Sequence, residues 1–69
     1  MAVSYNRLWK LLIDKNQMRT DLKDLAGISS NVLAKLGKNL PVAVDSLEKI
    51  CRSLDCNIED IMEFINEKQ

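Results

Sequence analysis

The sequence predicts an all-α fold, one compact bundle of five short helices. Three observations carry that expectation. Apolar residues return at spacings of three and four along most of the chain, the period of a helix with one buried face. Two glycines and one proline are too few for a series of hairpins or long loops. A length of 69 residues, 46% hydrophobic and 29% charged, fits one folded domain over residues 1–69 and excludes a disordered tail. A domain this small buries a modest share of its surface, so every apolar stripe is needed for the core.

Ser4 is an N-cap residue ahead of "YNRLWKLLIDK". Tyr5, Leu8, Trp9, Leu12 and Ile13 form the apolar stripe of this first helix, with Tyr5 and Trp9 as core anchors, while Arg7, Lys10 and Asp14 fall on the solvated side. "NQM" interrupts the pattern. "RTDLKDLA" resumes it with Leu22, Leu25 and Ala26 over about two turns. Gly27 ends that helix by supplying a left-handed residue. Ile28 plugs the corner, and Ser29 caps a third helix whose Val32, Leu33 and Leu36 point inward. Ser30, Asn31, Lys35 and Lys38 are left outside, and Gly37-Lys38-Asn39 reads as the frayed end. Leu40-Pro41 is an extended connector, because proline pushes the residue before it out of the helical region.

The fourth helix lies in "VDSLEKICRSLD", with Leu47, Ile50, Cys51 and Leu54 as its stripe, and Asp45 with Glu48 resembles a capping box. Cys56-Asn57 makes a turn. "IEDIMEFINEK" is then expected as a fifth helix with Ile58, Ile61, Met62 and Ile65 on one face. Phe64 falls off the centre of that face, and an exposed aromatic invites a partner.

Composition narrows the function classes. No apolar run approaches the length of a membrane span, and no signal-like region follows the N-terminus, so a cytoplasmic, non-membrane protein is expected. Histidine is absent and the two cysteines, Cys51 and Cys56, are five apart. Those residues cannot complete a zinc site, and a redox motif would want tighter spacing, so both cysteines are read as structural thiols of a reducing compartment. With no phosphate-cradling glycine loop and no acid–base constellation, an enzyme is not expected, nor a cofactor, a metal or a small-molecule ligand. The net charge is zero but unevenly spread. Residues 1–40 hold seven basic residues against three acidic ones, and residues 41–69 hold the reverse. Such asymmetry points to a polyanion on one face.

Two helices joined by a tight glycine-containing turn make a helix-turn-helix unit. The turn requires a glycine, the corner an apolar plug, and the second helix an inward stripe with short polar residues outside. Gly27, Ile28, Val32, Leu33, Ser30 and Asn31 meet those needs, and Lys35 follows Asn31 by one turn on the same face. The run "RTDLKDLAGISSNVLAKLGKN" resembles the Cro/C1-type (XRE-like) helix-turn-helix of phage repressors and small bacterial regulators. Within that family it is most similar to the compact group in which "LAGISSNVLAKLGKN" is followed by "PV…LEKICRSLDCNIEDIMEF". The resemblance covers about residues 5 to 65.

It implies a lambda-repressor-like five-helix bundle and a sequence-specific regulator of transcription, a repressor, that sets helix 29–38 in the major groove of double-stranded DNA. Ser30, Asn31 and Lys35 match the positions from which side chains reach base edges. Arg19 matches a phosphate-contacting position, and Lys38 and Asn39 are placed to touch the duplex backbone. Relatives commonly bind as dimers, which implies a homodimer through the last helix with Phe64, Ile61 and Ile65 at its interface. Lys23 stands where many members carry a small residue against the recognition helix, and a lysine there can snorkel outward. Leu36-Gly37 replaces a common aromatic–acidic pair. The alternative to DNA binding is a protein-interaction module of the same fold, an antitoxin-like or regulator-binding partner docking through its acidic C-terminal half. Fold alone does not separate the two.

Overall fold

A computed structural model describes residues 2–66. Four α-helices form the body: α1 (Asn6–Asp14), α2 (Arg19–Ala26), α3 (Ser30–Gly37) and α4 (Val44–Leu54). A single 3₁₀ turn follows over Ile58–Asp60. Two three-residue strands, β1 (Ala2–Ser4) and β2 (Glu63–Ile65), pair antiparallel and bring the two ends of the described chain together. Their register sets Ala2 opposite Ile65, Val3 opposite Phe64 and Ser4 opposite Glu63. No described helix is long and apolar enough to cross a membrane.

The fifth helix expected over 58–68 is therefore corrected to a 3₁₀ turn and a strand as far as Ile65, and its last two residues, 67 and 68, lie outside the described residues. The Asp60 carboxylate accepts the Asn57 N–H at 3.0 Å and closes that turn tightly. Ile61 then drops into the core with no exposed surface, and the chain leaves it extended. Phe64 and Ile65 suit a strand as well as a helix. What decides is β1, a partner that lies some sixty residues away in sequence.

Buried residues from every helix meet in one core: Tyr5, Leu8 and Leu12 with Leu22, Ala26, Ile28, Leu36, Leu47, Ile50, Leu54 and Ile61. Cys51 and Cys56 pack against it as free, half-buried thiols. Burial pushes the pKa of both upward, that of Cys56 to about 11, so neither is a thiolate near neutral pH. Ile13 was expected on the α1 stripe but is 71% exposed. One residue past Leu12, it is turned about 100° from the buried direction. Leu25 is half exposed for the same reason beside Ala26.

The helix ends show how local chemistry is used. Ser4 belongs to β1 and α1 starts two residues later, yet the Ser4 Oγ still accepts the Asn6 N–H at 3.3 Å. Asp45 and Glu48 form no capping box. The helix starts one residue earlier, at Val44, which puts Asp45 inside the first turn, where its carboxylate accepts from Ser46 N. Glu48 instead pairs with Arg52 at 3.1 Å along the helix surface. Arg7 is likewise more than solvated surface. Its guanidinium donates to the Glu59 carbonyl at 3.0 Å and pairs with Glu63 at 3.3 Å, tying α1 to the C-terminal segment.

Candidate nucleic-acid interface

The unit formed by α2, its turn and α3 is built as the residues require. The Asp21 carboxylate accepts the Met18 N–H at 2.9 Å and starts α2. Gly27 ends it in the left-handed region, with φ of 68°, and its N–H bonds to the Lys23 carbonyl at 3.0 Å. Ile28 is buried in the corner. The Ser29 Oγ accepts the Val32 N–H at 3.3 Å and caps α3.

Leu36 is the fully buried anchor of α3, with Val32 and Leu33 half-buried beside it. This fixes which way the helix faces. Ser30, Asn31, Ala34 and Lys35 are all exposed, and successive offsets of about 100° put them on the side away from Leu36, in line with Lys38. Ala34 was not singled out in the sequence, although it lies four residues from Ser30. Small and exposed in the middle of the face, it allows another surface to approach the helix backbone. Lys23, too, is exposed on α2.

The end of α3 is closed rather than frayed. Asn39 takes a left-handed conformation, with φ of 57°, and Leu40 N–H bonds back to the Lys35 carbonyl at 2.9 Å. The Asn39 Oδ1 accepts the Tyr5 N–H at 3.1 Å, and the Tyr5 hydroxyl donates to the Leu40 carbonyl at 2.8 Å. Asn39 thus spends its side-chain oxygen on holding the connector to the start of α1, although the residue as a whole is exposed.

Arg19 opens α2 and lies over the ring of Trp9, with its guanidinium carbon 4.1 Å from the centroid. A methyl group placed on Gly37 would lie 3.9 Å from Arg19 Nη1, so the guanidinium stands at the C-terminal end of α3, next to the residue before Lys38. The ion pairs among the described residues are Arg7–Glu63 and Arg52–Glu48. Neither includes Arg19, Lys35 or Lys38, and α3 itself carries no acidic residue. The fold thereby gathers Arg19, Ser30, Asn31, Lys35 and Lys38 around one exposed helix. No described group of three metal-ligating side chains accompanies them.

A family model for the Cro/C1-type HTH DNA-binding domain matches residues 7–67. The chain belongs to that family. Among solved structures it is similar to the transcriptional regulator VanUg in its crystal form II, with 45% identity and a TM-score of 0.92. That match covers 96% of this chain and 88% of VanUg. No curated protein gives a significant match. For this Cro/C1-type domain the α2–turn–α3 unit is the helix-turn-helix.

Proposed function

We propose that this Cro/C1-type domain is a sequence-specific transcriptional regulator, a non-enzymatic repressor that acts by occupying its DNA site with α3 in the major groove. The observation that carries this reading is the exposed face of α3, which combines short polar side chains with Lys35 and no acid and is continued by Lys38 just past the helix end. Ser30, Asn31 and Lys35 are the base-reading residues. Asn pairs bidentately with adenine, Lys donates to guanine O6 and N7, and Ser accepts several partners. Arg19, Lys38 and the amide of Asn39 hold the phosphate backbone, which positions the helix without reading sequence.

Salt titration of binding to duplex DNA tests the backbone assignment. Arg19→Ala is expected to weaken binding to all duplexes about equally and to lower the salt slope by about one phosphate contact. An unchanged slope removes Arg19 from the backbone contacts. Absence of salt-dependent binding by the native protein favours the protein-interaction reading instead.

We further propose that the regulator works as a homodimer, through a surface different from the one expected. There is no C-terminal helix in the described residues to carry it, and Ile61 is completely buried and unable to reach a partner. Phe64 is 66% exposed and Ile65 44% exposed, and both stand on β2. Phe64 borders an apolar groove of about 450 Å³ lined also by Val3, Pro41, Val42 and Met62. An isologous contact needs both a knob and a recess on the same surface, and this end of the molecule offers both. Phe64→Asp is expected to shift the sedimenting species from dimer to monomer. An unchanged mass takes Phe64 out of the interface.

A further inference from the structure

We propose that Trp9 is a positioning residue for DNA binding: its indole ring holds the Arg19 guanidinium at the C-terminal end of α3, ready to meet a phosphate. This rests on the reading that Arg19 contacts the DNA backbone. Three features of the structure lead to it.

The first is the stack itself. A guanidinium 4.1 Å from an indole centroid is well within cation–π range. Stacking engages the face of the guanidinium and leaves its edge, with the N–H donors, free for a bidentate contact with phosphate oxygens. Without such a support, an exposed arginine at a helix start samples many rotamers.

The second is the burial of Trp9. Leu8 and Leu12 on the same helix are fully buried, whereas Trp9 is only half-buried and packs against the edge of the core. It lines a recess together with Leu12, Met18 and Arg19, so it is reached from solvent on the side where Arg19 lies.

The third is the surroundings of the guanidinium. No ion pair among the described residues involves Arg19, so no carboxylate competes for its charge. Gly37 adds no side chain at the place where the guanidinium meets α3. The last carbonyls of that helix form its electronegative end, which favours a cation there.

Trp9 is the single tryptophan of the chain, so its emission reports on the stack directly. The test compares native protein, Trp9→Leu, Trp9→Phe, Arg19→Ala and Trp9→Leu/Arg19→Ala. Each is bound to a mixed-sequence duplex across a salt series, with heat unfolding measured in parallel. Trp9→Leu is expected to weaken binding by about three- to tenfold and to lower the salt slope as Arg19→Ala does. In the Arg19→Ala background it is expected to add nothing, whereas Trp9→Phe, which keeps a ring, retains most of the affinity. In the free protein, Arg19→Ala is expected to red-shift the Trp9 emission by uncovering the ring.

Equal losses from Trp9→Leu with and without Arg19 mean a purely structural role and overturn the proposal. Full affinity in Trp9→Leu, with Arg19→Ala still weakened, overturns it while leaving the phosphate contact standing. No effect of Arg19→Ala on affinity or slope removes the phosphate contact and the positioning role together. Should Trp9→Leu fail to fold, Trp9→Phe together with the emission of Arg19→Ala decides. A large loss of affinity in the first or an unshifted spectrum in the second rejects the stack.

Discussion

Leu36→Ala is expected to destabilise the protein by roughly 2–5 kcal/mol, the range for removing a fully buried leucine from a core that closes only partly around the gap. Leu36 has no exposed surface, and it is the one fully buried side chain of α3. Its neighbours Val32 and Leu33 are half-buried and cannot replace it. A domain of this length is expected to have a total stability on the order of 3–10 kcal/mol. The substitution would therefore take away a large share of it and lower the midpoint of heat unfolding by about 10 °C or more. Urea and heat unfolding followed by far-ultraviolet circular dichroism measure both quantities. A change below about 0.5 kcal/mol, the size of an ordinary surface substitution, would contradict the placement of Leu36 in the core. The same residue sets the facing of α3, the helix proposed to enter the major groove, so DNA binding by Leu36→Ala should fall even at temperatures where most molecules stay folded.

The middle of the chain was legible in the sequence because its signals are local. A glycine required at a positive φ, an isoleucine after it and a serine three residues before a free amide each identify themselves within a few positions. The structure places Gly27, Ile28 and Ser29 in those roles. The exposed residues of α3 follow from the inward ones, which is why Ser30, Asn31 and Lys35 emerged from the same pattern.

Where structure depends on distant partners, the sequence misled. The spacing of Ile58, Ile61, Met62 and Ile65 satisfies a helix, and a run this short cannot exclude a strand. Pairing with Ala2–Ser4 settles it, and no local pattern announces that pairing. The role of Asn39 was hidden for the same reason, since its partner Tyr5 lies 34 residues earlier. Arg7 and Trp9 read as a solvated face and a core anchor, but Arg7 proved to reach Glu59 and Glu63 at the other end of the chain, and Trp9 to carry Arg19 of the next helix. The capping box read at Asp45 and Glu48 failed more simply, because a shift of one residue in the start of α4 moves Asp45 from cap to first turn.

Asn31→Ala carries the largest expected effect on recognition. Asn31 lies in the first turn of α3, exposed and on the side away from Leu36. A side chain in that part of a recognition helix reaches base edges in the major groove. Its amide both donates and accepts, so it can bond adenine N6 and N7 together, a pairing that no other base offers. Removing it should cost roughly 1–3 kcal/mol on the preferred site, or about five- to 150-fold in affinity. On unrelated duplexes, held mainly through phosphates, the loss should be small. Sites selected from a random duplex library with the native protein, then titrated against both proteins at one salt concentration, give the comparison. The variant should also select sites in which one position has become degenerate. Alanine at 31 leaves the Ser29 cap and the buried face untouched, so heat unfolding should hardly change. An equal loss on every duplex would place Asn31 on the backbone, and the base contact would then fall to Ser30 and Lys35.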